Sequence, residues 1–146
     1  MASDAEQAIR DALDAWQRAV LDADLDRTMS FYAPDVVAYD AVDKLRFEGR
    51  DAYRGAWEKG FSCVPEGGRM IFELGPVTVA AGEGVGFTHG LVRCGMADAD
   101  GAEQSGWMRY TGCWRREGDR WLIAHEHFSV PFSMDGDPKP LFHLEP

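Results

Sequence analysis

No stretch of this 146-residue sequence stays apolar long enough to cross a bilayer, and positive charge is scarce. Lysine and arginine number 15 against 25 aspartates and glutamates, a formal net charge of −10. That deficit argues against nucleic acid or an anionic membrane surface as partner, because both are held by basic patches. Cysteine is also rare. Cys63, Cys94 and Cys113 are odd in number and lack the paired spacing of a metal site or a disulfide framework. They read as reduced, core-packing residues, which places the protein in the cytoplasm. The opening Met-Ala-Ser-Asp-Ala-Glu-Gln is acidic and helical in pattern, unlike a signal peptide. Repeats, low-complexity tracts and linkers are missing too, so one domain is expected over residues 1–132, followed by an extended tail over 133–146.

Apolar residues, by contrast, make up 45% of the chain, which excludes disorder. Ile9, Leu13, Trp16 and Val20 recur at helical spacing and predict a first helix over 4–22 with one buried stripe. Asp22 and Asp24 are N-cap candidates for a short second helix carrying Leu25, Met29 and Phe31 or Tyr32. Pro34 ends it. Residues 36–40 read as a short strand, returning through Asp43-Lys44 to residues 45–47. A third helix over 51–61 presents Tyr53, Ala56, Trp57 and Gly60 on one stripe. Long strands follow over 69–80, interrupted at Gly75-Pro76, and over 85–96. From Ser133 the chain turns polar and proline-rich, with Leu141, Phe142 and Leu144 as docking candidates. The order of elements is an α+β plan, an antiparallel sheet with helices on one face and a cavity between the layers.

Residues 107–132 form the most informative stretch. Two strand-like runs flank a polar turn containing Gly118, a β-hairpin signal. With a two-residue turn, alternation puts Trp107, Arg109, Thr111 and Cys113 on one face with Ala124, Glu126 and Phe128. The other face then carries Tyr110, Trp114, Trp121, Ile123, His125, His127 and Ser129. A bulge would break this sorting, and alternation alone does not say which face meets a pocket.

Several segments resemble the NTF2-like superfamily, the cone-shaped fold of ketosteroid isomerases, scytalone dehydratase and SnoaL-like cyclases, with the SnoaL-like branch most similar. They are Asp24-Leu-Asp-Arg-Thr-Met-Ser-Phe-Tyr-Ala-Pro-Asp35, Tyr39-Asp40, Gly49-Arg-Asp-Ala-Tyr-Arg54, Arg109-Tyr-Thr111 and Trp121-Leu-Ile-Ala-His-Glu-His-Phe-Ser-Val-Pro131. The ending is also similar to the hub domain of calmodulin-dependent kinase. The resemblance implies a curved sheet packed against three N-terminal helices. It places Asp40 on the proton-abstracting aspartate of the isomerases, Trp16 on their oxyanion-holding tyrosine and Thr111 on their oxyanion aspartate. It puts His89 where the hub domain has a pocket arginine. It also turns the face of Thr111 inward, with Trp107, Arg109, Glu126 and Phe128.

The implied activity is that of a cofactor-free isomerase, cyclase or dehydratase acting on a small hydrophobic carbonyl or polyketide-like compound. Asp40, His89 and Arg109 are the catalytic candidates. Trp16, Tyr32, Trp57, Trp107, Thr111, Glu126 and Phe128 are the ligand-binding candidates. The plainer readings stand beside these: a turn aspartate accepting backbone N–H groups, an Arg109–Glu126 pair fixing strand register and a hydrogen-bonded core histidine. The other function class is a non-catalytic module that binds a small carboxylate through Arg109 and His89, or that drives oligomerisation. His125 and His127 lack a third ligand nearby and are expected to hold no metal. A homodimer is expected, formed by the outer sheet face with Tyr110, Trp114, Trp121 and Ile123 as its apolar patch.

Overall fold

Helix α1 (Asp4–Leu21) opens the computed structural model, which describes residues 1–146. Ser3 caps it: its hydroxyl accepts from the Glu6 N–H, and the Glu6 carboxylate accepts from the Ser3 N–H at 2.9 Å. The expected stripe of Ile9, Leu13, Trp16 and Val20 is buried. Asp24 caps the short α2 (Leu25–Met29). This helix stops before Phe31, and Tyr32 already belongs to strand β1 (Tyr32–Tyr39). Pro34 is tolerated inside β1 because the strand's pairing is irregular between Tyr32 and Val37, so its missing N–H breaks no regular ladder.

The two-residue β2 (Phe47–Glu48) pairs back on β1, and Gly49, at φ 90°, turns the chain into α3 (Arg50–Ser62). Strands β3 (Arg69–Leu74) and β4 (Thr78–Ala81) are parted at Gly75-Pro76. Then come β5 (Val85–Ala97), β6 (Glu103–Glu117) and β7 (Arg120–Ser129). The sheet order is β2-β1-β7-β6-β5-β3, with β4 also on β5. Every pairing is antiparallel except β1 with β7. Helix α1 packs on β3, β4 and β7, and α3 on β1 and β2. The α+β architecture agrees with the expectation. No helix is long and apolar enough to cross a membrane.

One irregularity reassigns the faces of the last hairpin. The turn is the expected two-residue loop, since Glu117 pairs with Arg120 and Trp114 with Ile123. The next partners are Cys113 with His125, so Ala124 is an extra, bulged residue. Beyond it, Gly112 pairs with Glu126 and Tyr110 with Phe128. The inner face therefore carries Tyr110, Trp114, Trp121 and Ile123 together with Glu126 and Phe128, all buried. The outer face carries Arg109 and Thr111 beside Ser129 and His127. The inward direction expected for Arg109, Thr111 and Trp107 is thus overturned. So is the outer patch of Tyr110, Trp114, Trp121 and Ile123, which is core; Trp114 is 1% exposed and Trp121 8%. The outward direction of His125 and His127 and the inward direction of Glu126 stand.

After β7 the tail doubles back. The Ser133 N–H donates to Lys139 O and the Leu141 N–H to Pro131 O, each at 2.8 Å. Phe142 then lies against Gly106, where a Cβ would meet Phe142 O at 2.8 Å.

Candidate functional site

Between α3 and the sheet lies a cavity of about 270 Å³. Its wall is built by the stripe of α3, which presents Trp57 and Phe61, and by inward positions of the strands: Phe72, Met96, Met108 and Phe128. Alternation along β5 and β6 brings Met96 and Met108 to this side, where flexible thioethers fill an irregular apolar wall. One lining residue is charged, Asp40, just past the end of β1. Asp40 also borders an open depression formed by residues 41–46 and His127, so its carboxylate sits where the cavity meets solvent.

The Asp40 carboxylate accepts the Ala41 N–H at 2.7 Å. Burial raises its pKa above the usual aspartate value; the Ala41 N–H and the Tyr53 hydroxyl pull it back in part, and Asp43 pushes it up again. Burial that makes a carboxylate more basic suits it to taking a proton.

Behind Asp40 lies a second carboxyl. Glu126 is 0% exposed. The hydroxyls of Tyr32 and Tyr53 both donate to its Oε1, at 2.6 and 2.7 Å. Its Oε2 and the nearby Tyr110 hydroxyl are buried without a partner. Burial pushes the Glu126 carboxyl up to about 8 against the lowering by Tyr32 and Tyr53, and the negative charge of Asp40 raises it further. The same burial, with Glu126 beside them, holds the Tyr32, Tyr53 and Tyr110 hydroxyls well above the usual tyrosine value. Trp16 backs this cluster, stacked on Tyr110 and edge-on to Tyr32, Trp57 and Phe72.

The structure therefore divides the expected site residues. Asp40, Trp57 and Phe128 line the cavity. Tyr32, Glu126 and Trp16 lie directly behind its wall, in the core. His89, Arg109 and Thr111 are brought together, but in a shallow depression on the outer face of the sheet. Arg109 donates to Ser129 Oγ at 3.0 Å and makes no pair with Glu126. Trp107 pairs with Arg93 and stays off the cavity. The joint cavity of Asp40, His89 and Arg109 is thus overturned: Thr88, Tyr110 and Trp114 fill the inner face of β5 and β6, which turns the alternating His89 and Arg109 outward, and the bulge parts Glu126 from Arg109.

Two histidines sit on the outer face near β1. His125 Nδ1 is 2.6 Å from Val37 O, and the Tyr39 ring meets both His125 and His127 edge-on. No three His, Cys, Asp or Glu side chains converge as a metal ion requires. The three cysteines are free, and burial pushes the Cys94 thiol at the cavity wall up to about 12.

Sequence reasoning missed Met96, Met108, Phe61 and Phe72 as walls and Tyr53 as a carboxyl donor. Strand alternation carried the signal for the methionines once the inner face of β5 was known.

A family model described as a SnoaL-like domain matches residues 9–133. A crystal structure of an NTF2-like protein of unknown function from Pseudomonas putida KT2440 is 40% identical, with a TM-score of 0.90, over 100% of this chain and 99% of that one. A ketosteroid isomerase-like protein from Erwinia carotovora atroseptica shares 18% identity over 88% of this chain and 97% of that one, with a TM-score of 0.69. A Xanthomonas campestris protein provisionally described as a calcium/calmodulin dependent protein kinase II association domain shares 19% identity at a TM-score of 0.68, over 88% of this chain and 91% of that one. No curated protein matches the chain.

Proposed function

This chain belongs to the SnoaL-like family, and we propose that it removes a proton next to the carbonyl group of a small, apolar, uncharged compound, with Asp40 as the base and no cofactor. The observation that carries this reading is the place of Asp40, the one charged side chain in an otherwise apolar cavity open to solvent beside it. An uncharged ligand follows from the lining. No lysine, arginine or histidine faces the cavity to hold a carboxylate, and Asp40 repels one.

In the step itself the C–H bond breaks, its proton goes to an Asp40 oxygen, and the electron pair moves onto the carbonyl oxygen. That oxygen needs a donor. Arg109 and Thr111 face the other way, whereas Trp57 lines the cavity and its buried indole N–H has no partner in the protein. An indole N–H only donates, so Trp57 is assigned to the oxyanion. A relative described as ketosteroid isomerase-like supports the reaction class through the shared fold.

The test needs no knowledge of the product. Uncharged ketones and lactones are screened by NMR for exchange of the α-proton in heavy water. The wild type should catalyse exchange. Asp40→Asn should abolish it while sparing binding, and Trp57→Phe should slow it by about 100- to 1,000-fold. Exchange by Asp40→Asn at the wild-type rate sinks the proposal.

A second reading rests on the outer depression shared by His89, Arg109 and Thr111, where a small carboxylate would find a guanidinium. Under that reading Arg109→Ala abolishes carboxylate binding and Asp40→Asn leaves it intact.

A further inference from the structure

Ala38 pairs with Glu126 across β1 and β7, so Asp40, two residues further along, comes out on the same side of the sheet close to Glu126. Tyr53, reaching in from α3, donates to Glu126 Oε1 at 2.7 Å. The same hydroxyl also lowers the pKa of Asp40. Tyr32, the other donor to Glu126, is 2.6 Å from the same Oε1 and has no part in setting Asp40. Glu126 is fully buried, its Oε2 unpaired, and no lysine, arginine or histidine compensates it. Two carboxylates this close, one of them out of water, cannot both hold a full negative charge at low cost.

We propose that Asp40 and Glu126 share one proton through the Tyr53 hydroxyl, Glu126 holding it in the core while Asp40 presents the ionised oxygen to the ligand. In this state Glu126 donates to Tyr53 and Tyr53 donates to Asp40. Both donors point toward the cavity, so Asp40 is oriented and kept ionised without any cation. Tyr53 and Glu126 are thus positioning residues that act through Asp40. When the shared proton is lost, Tyr53 turns back to Glu126, and Asp40 faces a second negative charge and becomes more basic. This rests on Asp40 being the ligand-facing base, but it concerns the free protein and is read there.

The groups facing the pair are Tyr32 on β1, Tyr53 on α3, Tyr110 on β6, Cys94 on β5 and Asp43 in the loop after β1. All but Asp43 stay protonated to high pH: burial pushes the Cys94 thiol to about 12 and the three tyrosines well above their usual value. Asp43 is bound to Lys59 at 2.8 Å. The step at neutral to mildly alkaline pH therefore belongs to the Asp40–Glu126 pair.

Carbon-13 NMR of the full chain, labelled at Asp and Glu carboxyls and titrated from pH 3 to 10, decides the matter without any ligand. In wild type the Asp40 resonance should show two inflections, its own and a second coinciding with that of Glu126. Glu126→Gln should erase the second. Tyr53→Phe should raise the midpoints of both carboxyls, whereas Tyr32→Phe should raise that of Glu126, and with it the second Asp40 inflection, while leaving Asp40's own first inflection in place. A single Asp40 inflection in wild type overturns the proposal, as does a Tyr53→Phe titration in which Asp40 is unmoved. If the two carboxyls titrate together while Asp40→Asn still exchanges α-protons, the base assignment fails and the shared proton stands. If Asp40→Asn is inactive and the two titrate independently, the reverse holds.

Discussion

At the scale of single residues, Glu126 ties folding to pH. Its carboxyl titrates at about 8 in the folded chain against an ordinary value of 4.5. Between these limits the folded state keeps a proton that the unfolded state gives up. The contribution is therefore fully present below the unfolded value and is lost as pH rises through the folded one, with a slope of at most about 1.4 kcal/mol per pH unit. Asp40, also raised by burial, adds to the same trend. Asp35 and Glu73 are lowered by Arg115 and Arg93, so they act the other way, and only in acid. Urea midpoints should fall between pH 5 and 9, by on the order of a few kcal/mol in stability, and Glu126→Gln should flatten that fall. A wild-type profile that is flat over this range would count against Glu126 being protonated in the fold. Part of this is legible through the family resemblance, which points Glu126 inward and puts Asp40 at the pocket. The partner is not: the sequence suggests Arg109 beside Glu126, and two tyrosine hydroxyls hold it instead. Long-range donors such as Tyr53 leave no periodic trace, because the contact spans 73 positions.

At the scale of elements, helices are readable to within a residue or two because their apolar stripes repeat, while the last hairpin fails at one residue. Ala124 carries no turn or glycine signal, yet as a bulge it moves Glu126 and Phe128 to the face of Tyr110 and Trp114. Matching Thr111 to an inward position fails separately, because Tyr110 and Trp114 take the buried positions of β6 and alternation leaves Thr111 outside. Gly112 tests the corrected register. It lies opposite Glu126, and a Cβ built there would meet Tyr110 Oη at 2.6 Å and Thr88 Oγ1 at 2.8 Å. Gly112→Ala should cost about 1–3 kcal/mol in denaturant unfolding, because the buried cluster has to shift. Gly55 is the contrast. It sits inside α3, and a methyl group added there would meet nothing within 4 Å. Gly55→Ala should stabilise the protein by about 0.5–1 kcal/mol through helix propensity and a less free unfolded chain. If both substitutions were neutral, the inner-face packing at Gly112 would be looser than described.

At the scale of the whole molecule, one face of the sheet is covered by helices and the other is not, which bears on assembly. The apolar patch first expected there is core, but other side chains take its place. Phe87 is 48% exposed, Leu91 36% and Val85 68%, all on β5. On the neighbouring strand Phe87 stands opposite the small, uncharged Cys113, while Leu91 stands opposite Arg109 and Val85 opposite Arg115. The carboxylates at the two ends of this patch are held on arginines: Glu73 and Glu103 pair with Arg93, and Asp35 and Glu117 with Arg115, which stands opposite Val85. Two copies related by a two-fold axis would bury Phe87 and Leu91 against each other, with the carboxylates at the rim already neutralised by Arg93 and Arg115. Sedimentation at micromolar concentration should give a dimer, and Phe87→Glu should shift it to monomer while leaving α-proton exchange at Asp40 unchanged, since Phe87 is absent from the cavity lining. A wild-type monomer, or a dimer indifferent to Phe87→Glu, would move the interface off this face.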